Sequence, residues 1–477
     1  MTDTLISDLT QMFSARSNAG VISAREELLT YECDGSTMEK FPPNAVVFPE
    51  STADVARIVR YLHERRVPFV ARGAGTGLSG GMLAIEGGVI IETSRMNHII
   101  EIDPVNRCAV AEPGVENIRV SRAAAEHGLY YAPDPSSQAA CTIGGNVAEN
   151  AGGPHTLKYG ATAQHVLGLE IVLPDGEILA LGGNAGENPG YDFIGAITGS
   201  EGTFGIVTKI TLRLLPLPQD VRTLLAVFET VHGATQTVSD IIAAGIVPAA
   251  LEMMDNTVLH ALEEAFHYGF PLDAGALLII EVDGFAASLE RQAGVIRAIC
   301  EKSNAREVRI AGKGADRDAL WRARKRAFGA LGRITPSYYT QDGVIPRHTL
   351  PDILDAIKQI GAKHDLRIAN IFHAGDGNLH PCILFDERDA NQRKNVLAAG
   401  DEILLLCVRA GGSLSGEHGI GIEKMKAIGY MFTETDQQWM RGLRSVFNPD
   451  GLCNPGKIFP TGKTCVEVDV RHRKAAL

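Results

Sequence analysis

The chain has 477 residues, longer than one compact domain usually runs, which predicts two or three domains. Hydrophobic residues make up 45% and charged residues 21%, ordinary globular chemistry that excludes a wholly disordered chain. With 45 Lys+Arg against 57 Asp+Glu the net charge is -12, so nucleic acid is not an expected partner.

Residues 1–40 read as a helical lead-in, with Ala24–Leu29 helix-prone and Cys33–Thr37 a turn. From Asn44 short units alternate. Ala45–Phe48 is strand-like, and Ser51–Asp54 reads as a helix cap ahead of Val55–Leu62. Val67–Ala71 is a short strand that ends in the glycine-rich stretch Arg72–Gly81. Val89–Glu92, Ile99–Ile102, Ala109–Glu112, Leu167–Leu173 and Ile206–Leu212 add further strands, with Pro174–Gly176 as a turn. Pro216-Leu-Pro218 marks a boundary, because proline cannot donate to a ladder and biases its predecessor away from helix. Beyond it strand-like Leu224–Phe228, Ala276–Val282, Ile368–Phe372 and Pro381–Phe385 alternate with helical His232–Gly245, Ala287–Ser303, Leu350–His364 and Ala390–Ala410. That mixture predicts an α+β unit. The expected division is a lead-in at 1–40, a first domain at 41–217, a second at 218–460 and a frayed tail at 461–477.

No apolar run approaches the ~20 residues that cross a bilayer, and the first residues lack a basic stretch before an apolar core. Neither a transmembrane segment nor a secretory signal is expected. Eight cysteines, at 33, 108, 141, 300, 382, 407, 453 and 465, are scattered without a C-x-x-C pair. This argues against an iron–sulfur or structural zinc cluster and suits reduced thiols in a cytoplasmic protein.

Glycine is the unusual residue, at 51 copies, and without a collagen period it serves tight turns and close approaches to a ligand. Gly75–Gly80 matches G-x-G-x-x-G, but the dinucleotide fingerprint needs a helix to start inside the motif. Here the loop runs on toward a strand, so a Rossmann fold is not expected. Successive amide groups freed by glycines can still form an anion-binding nest with no helix behind it. Two further glycine-dense segments, Thr142–Gly153 and Thr198–Gly205, and the rigid turn Ala132–Ser137 could line one trough with it.

A second constellation lies near the C-terminus. His373 and His380 flank a tight turn at Asp376-Gly377, and if they sit opposite each other on paired strands their Cβ atoms are ~5 Å apart. Two imidazoles that close can ligate one divalent cation, with a carboxylate from another segment as a third ligand. Glu417 and His418 are neighbours, which on a strand point to opposite faces, so both serve one site only if the chain bends; Gly416 and Gly419 make that bend cheap. In the basic run Trp321–Arg326, Arg322 and Arg326 share a helix face while Arg324 points elsewhere.

PxxVVFPESTADVARIV (43–59), ARGAGTGLSGG (71–81), PDPSS (133–137), TIGGNVAENAGG (142–153) and GSEGTFGIVTKI (199–210) together resemble the FAD-binding half of the vanillyl-alcohol-oxidase-type flavoproteins. From about residue 40 to Pro460 the chain resembles the FAD-linked 2-hydroxyacid dehydrogenases of that group, among them the glycolate and D-lactate enzymes. The resemblance implies an α+β fold: a two-part FAD-binding domain, then a substrate or cap domain with an antiparallel sheet, then a C-terminal helical segment that returns to the FAD domain. It implies FAD contacts from Arg72, Gly73, Ala74, Gly75, Thr76, Gly77, Leu78, Pro133, Asp134, Ser136, Ser137, Thr142, Gly145, Asn146, Glu201, Gly205, Ile206 and Val207. Some relatives bind FAD covalently through a His in the first loop; Thr76 stands there, so a non-covalent FAD is expected. His373, His380 and Glu417 are then expected to hold one cation (Zn, Mn or Fe), His418 to take the hydroxyl proton, and Arg324 to bind the substrate carboxylate. An ordinary His, with a pKa of ~6.5, suits a base near neutral pH.

Relatives that take 2-hydroxyglutarate carry a Lys where this chain has Thr340 and an Asn where it has Cys382, so glycolate or D-lactate is the expected substrate; the alternatives are D-2-hydroxyglutarate or another D-2-hydroxy acid on the same scaffold, or a metal-dependent hydrolase if no flavin binds. Electrons would leave to a quinone, a cytochrome or an iron–sulfur partner subunit. A homodimer or hetero-complex and peripheral contact with a membrane face are both allowed.

Overall fold

The structure is a computed structural model that describes residues 2–13, 20–184, 189–312 and 314–460. The tail expected at 461–477, with Cys465, lies outside the described residues. The other seven cysteines are free thiols, and no helix among the described residues is long and apolar enough to cross a membrane.

The first half contains two main sheets. In one, Ala45–Val47, Val89–Glu92 and Phe69–Arg72 run parallel, with Val21–Ile22 antiparallel on the edge. Helix Thr52–Glu64 makes the crossover, and its buried Val55, Ile58, Val59 and Leu62 recur at helical spacing on the sheet-facing side. Its start is capped as expected, since the Ser51 hydroxyl accepts from the Asp54 N–H at 3.2 Å. The glycine loop after Phe69–Arg72 leads to strand Val89–Glu92 and not to a helix, so the Rossmann arrangement is absent. The other sheet is antiparallel, in the order Ile99–Asp103, Cys108–Ala111, Ile206–Arg213, Val166–Val172, Ile178–Gly182.

The lead-in differs from a continuous helical stretch. It holds helix Thr2–Met12, the edge strand and one short turn of helix at Arg25–Leu28. The segment Thr142–Gly153 is not all loop either: Ile143–Glu149 is helical, and the Thr142 hydroxyl accepts from the Gly145 N–H at 3.4 Å. A cap residue outweighs two helix glycines here.

The second half is built on a seven-stranded antiparallel sheet in the order Ala305–Ile310, Asp220–Phe228, Ala276–Gly284, Ala250–Asp255, Arg367–His373, Pro381–Phe385, Ser337–Thr340. Successive strand residues pack on opposite faces. Leu224, Ala226 and Phe228 meet helices Val231–Ala243, Ala286–Lys302, Leu350–Lys363 and Ala390–Arg409, while Leu225 and Val227 meet Asn256–Phe266 and Ala315–Ala330. Both faces are covered. We place the division between the halves near 217/218, because the large sheet begins at Asp220.

Helix Glu434–Phe447 then returns to the first half. Phe447 stacks on Phe204, ring centroids 4.7 Å apart, and Leu452 and Cys453 join the core that holds Phe69. Asn454 closes the seam: its buried Nδ2 donates to the carbonyls of Gly81 at 2.8 Å and Glu201 at 2.7 Å, and its backbone is left-handed at φ 46. Asn454→Ala strips two buried carbonyls of their donor and removes a residue that tolerates this backbone, so we predict a loss of about 2–4 kcal/mol in stability, read by denaturant unfolding.

Candidate active site

The site begins with strand register. Asn370 pairs with Pro381, and extension of that ladder puts His373 across from Asn378, not from His380. The two histidines are diagonal neighbours on one face. Their ring centroids lie 5.1 Å apart at 86°, close enough to share a ligand. On the other side of the same strand, Glu252 sits directly opposite His373.

Each imidazole is oriented through its Nδ1. That of His373 bonds Glu252 Oε1 at 2.7 Å, and that of His380 faces the Gln341 carbonyl at 3.4 Å. Both Nε2 atoms are thereby turned to Glu417 Oε1, at 3.3 Å from His373 and 3.1 Å from His380. Burial disfavours a charge on His373, yet Glu252 and Glu417 outweigh it and raise its pKa well above the usual 6.5. Burial likewise works against the Glu417 carboxylate, but His373 and His380 hold it well below the carboxylate range.

The bend needed to bring Glu417 and His418 to one place is built around a third carboxylate. Asp342 is fully buried and accepts from the N–H groups of Gly416 (3.1 Å), Glu417 (3.3 Å) and His418 (2.9 Å), with Asn378 Nδ2 at 3.0 Å and Lys424 Nζ at 3.0 Å. Gly416 is required for close approach: a Cβ there would meet Asn378 Nδ2 at 1.6 Å. His418 then stacks on His380, centroids 5.0 Å apart and rings within 5° of parallel. Burial lowers its pKa from 6.5 to about 4, so the ring is neutral, and its Nδ1 has no partner among the described residues. The imidazole of His418 is thus a weaker base than an ordinary histidine.

The basic helix sorts as its spacing predicts. Arg322 and Arg326 are exposed, whereas Arg324 is 1% exposed. Its Nε bonds Glu252 Oε2 at 2.7 Å, Nη2 ion-pairs with the same oxygen at 2.7 Å, and Nη1 has no partner among the described residues. Arg324 lies one layer behind the site, joined to His373 through Glu252.

One cavity of about 250 Å³ unites the two constellations. Of the residues expected to contact FAD, Gly73, Ala74, Gly75, Thr76, Gly77, Leu78, Ser136, Ser137, Thr142, Gly145, Asn146 and Glu201 line it, together with His380, Glu417 and His418. Phe328, Tyr338 and Thr340 form further wall. The remaining expected contacts are not among the residues that line this cavity. Arg72 donates to the carbonyls of Tyr31 and Cys33, the Pro133 carbonyl accepts from Asn117, and Asp134 bonds His155 at 2.8 Å. Gly205 packs against the Val172 carbonyl, and Ile206 and Val207 pair with Val172 and Ile171 in the antiparallel sheet.

The lining fits an anionic dinucleotide. None of the N–H groups from Gly73 to Leu78 makes a hydrogen bond to a described residue, leaving six consecutive donors at the cavity wall. The His373, His380 and Glu417 ligand atoms lie within 4.8 Å of one another, a donor set that fits one divalent cation; Asp342, His380 and His418 form a second such trio. No motif in the sequence singles out Glu252 or Asp342. Their only signals are a lone acid inside the apolar run Ala249–Met254 and an acid just after a strand.

These two halves are those of a known class: the chain belongs to the FAD-linked oxidases. Residues 43–182 match the FAD binding domain and residues 217–458 match the C-terminal domain of FAD linked oxidases. The cofactor is FAD, as expected. Among relatives, the glycolate oxidase subunit GlcD of Escherichia coli K12 is 47% identical over 95% of this chain and 91% of its own. The Bacillus subtilis protein of the same name is 41% identical over 90% and 92%, and D-lactate dehydrogenase of Anaerostipes hadrus 34% over 88% and 90%. The fold is shared with p-cresol methylhydroxylase (TM-score 0.80, 16% identity, 97% of this chain and 98% of that one). It is shared too with 4-ethylphenol oxidase of Gulosibacter chungangensis (TM-score 0.79, 18% identity, 96% and 98%). The fold is therefore of the vanillyl-alcohol-oxidase type.

Glu252→Gln removes the charge that holds both His373 and Arg324. We predict that titration with Mn²⁺ or Zn²⁺ finds affinity reduced roughly 10- to 100-fold, with unchanged affinity removing Glu252 from the support of the trio.

Proposed function

We propose that the protein oxidises a small 2-hydroxy acid, glycolate or D-lactate, to the 2-oxo acid, and passes the electrons to an acceptor other than NAD. The observation that carries this reading is the single cavity lined both by the unused amides of Gly73–Leu78 and by His380, Glu417 and His418. The names of the relatives that align over nine-tenths of the chain support the same chemistry.

In this reading Gly73–Leu78 hold the FAD pyrophosphate, without a covalent link since Thr76 offers no nitrogen nucleophile. FAD supplies the two-electron acceptor for the hydride on the substrate Cα. A cation held by His373, His380 and Glu417 supplies Lewis-acid polarisation of the substrate hydroxyl. His418, neutral and stacked beside His380, takes the hydroxyl proton on its unpartnered ring nitrogen. Arg324 is the proposed partner of the substrate carboxylate, on the strength of its buried, unpartnered Nη1.

The walls favour a small monocarboxylate. Among the described residues lining the cavity none is Lys or Arg, and Thr340 is spent against the buried Cys382 at 3.4 Å. With Arg324, behind the wall, assigned to the first carboxylate, a second one, as in 2-hydroxyglutarate, would find no further cation in the lining. The scattered free cysteines make no relay, so we infer a quinone, a cytochrome or an iron–sulfur partner subunit as acceptor. The word subunit in the GlcD names supports a hetero-complex. We place the protein in the cytoplasm, in keeping with its reduced thiols, with peripheral contact at a membrane face as one route to the acceptor.

Anaerobic mixing with a panel of acids tests the reading. Glycolate or D-lactate bleaches the flavin, while L-lactate and D-2-hydroxyglutarate do so at least roughly 10-fold more slowly; a panel that leaves the flavin oxidised overturns it. His418→Ala keeps FAD and slows bleaching roughly 10²- to 10⁴-fold, and retained bleaching removes His418 from the reaction.

A further inference from the structure

Two carboxyl groups close on the same glycine beside the cavity, and the chain treats them unequally. A Cβ on Gly419 would meet Glu149 Oε2 at 2.3 Å and Glu201 Oε1 at 3.0 Å. Glu201 is satisfied, accepting from the N–H groups of Ile420 and Gly421 at 2.7 Å each. Glu149 accepts no hydrogen bond from any described residue; its Oε2 is buried without a partner, and the side chain lines the cavity. On its other side a Cβ at Gly81 would stand 2.7 Å from its Oε1, so two bare Cα positions are kept open for this one carboxyl.

Nearby cations do not rescue it. Lys424 Nζ divides its three hydrogens among Asp342 (3.0 Å), the Gly419 carbonyl (3.1 Å) and Ser415 Oγ (3.3 Å). Lys457 Nζ gives to the Leu83 carbonyl at 2.6 Å and Asn454 Oδ1 at 2.9 Å. Asp34, held by Gly80 N–H at 2.7 Å, adds a further negative charge.

We propose that Glu149 is protonated in the holoenzyme and donates its carboxyl hydrogen to the bound FAD. The proposal rests on the reading that FAD fills this cavity. A pair of adjacent carboxylates keeps a proton on the member with no donors, which is Glu149. Burial and the neighbouring Glu201 both push its pKa well above the usual 4.5. A protonated carboxyl carries one O–H donor, and the flavin ring offers carbonyl and ring-nitrogen acceptors to receive it. Such a donor favours the electron-rich reduced ring, so Glu149 would raise the flavin potential as well as fix the ring in place.

Glu149→Gln keeps a donor of nearly the same shape, and Glu149→Leu removes it. In holoenzymes of parent and variants, FAD release is followed by flavin fluorescence and the midpoint potential by dye-coupled reduction. The Leu variant releases FAD roughly 3- to 10-fold more readily and its potential moves negative, while the Gln variant stays close to the parent. The infrared difference between oxidised and reduced parent shows a protonated-carboxyl band that shifts in D₂O and is missing from the Gln variant. Absence of that band in the parent overturns the proposal, even if the Leu variant fails to fold. So does a Leu variant that matches the parent in FAD release and potential. A parent that binds no FAD overturns the functional reading and this one with it.

Discussion

A carboxylate taken out of water is tolerated only where its surroundings replace the lost solvation, and the centre of this protein is arranged around one such group. Asp342, with no exposed surface, gathers three consecutive backbone N–H groups, the Asn378 amide and the Lys424 ammonium. The backbone from Gly416 to His418 is wrapped on that anion, and the wrap is what lets two sequence neighbours serve one site. Burial opposes the charge, but the Lys424 ammonium in contact with it helps hold Asp342 well below the carboxylate range. Loss of one partner from such a set strands the other, at a cost of about 3–5 kcal/mol. The shape of the Gly416–His418 loop is therefore an electrostatic outcome, since no helix or strand spans it.

A second charge system stands on the sheet beside it. Register places Glu252 across from His373, and helix Ala315–Ala330 lays Arg324 on the same carboxylate. Burial works against the Glu252 anion, and His373 and Arg324 together pull its pKa below the usual 4.5. A divalent ion at His373, His380 and Glu417 would supply the positive charge that Glu252 and Glu417 demand. The donor set, its orientation and its charge all fit one ion.

Much of this was legible beforehand, for identifiable reasons. Strands such as Val89–Glu92 and Pro381–Phe385 show their bounds in the sequence, because turn residues flank short apolar runs. Ala250–Asp255 does not show as a strand in the sequence: it is buried on both faces, so the alternation that marks a half-exposed strand is missing. Ala305–Ile310 faces solvent with most of its residues and carries little apolar signal. The glycine loops and the His–His–Glu–His set announce themselves by residue type and spacing. Glu252, Asp342 and Glu149 do not, because a lone acid acquires meaning only from the charges packed against it. The diagonal pairing of His373 and His380 was also out of reach, since register is decided by the neighbouring strands.

Catalysis of the proposed kind asks for a fixed separation between a cofactor held by one half and a base held by the other, and misplacement by about 1 Å can cost 10²-fold. The chain meets this with backbone hydrogen bonds. The Ser79 carbonyl, at the end of the glycine loop, accepts from the N–H groups of Ile422 (2.9 Å) and Glu423 (3.2 Å), a few residues past His418. Gly421 is needed at this crossing, because a Cβ there would meet the Ser79 carbonyl oxygen at 2.0 Å. Glu201, itself left-handed at φ 54, clamps Ile420 and Gly421 with its side chain and gives its carbonyl to Asn454, which also holds Gly81. The glycine loop, the loop that carries His418 and the returning C-terminal segment are thus tied in one closed ring of short bonds. Segments far apart in sequence meet at Ser79, Glu201 and Asn454, so the spacing between loop amides and His418 is set by the fold itself.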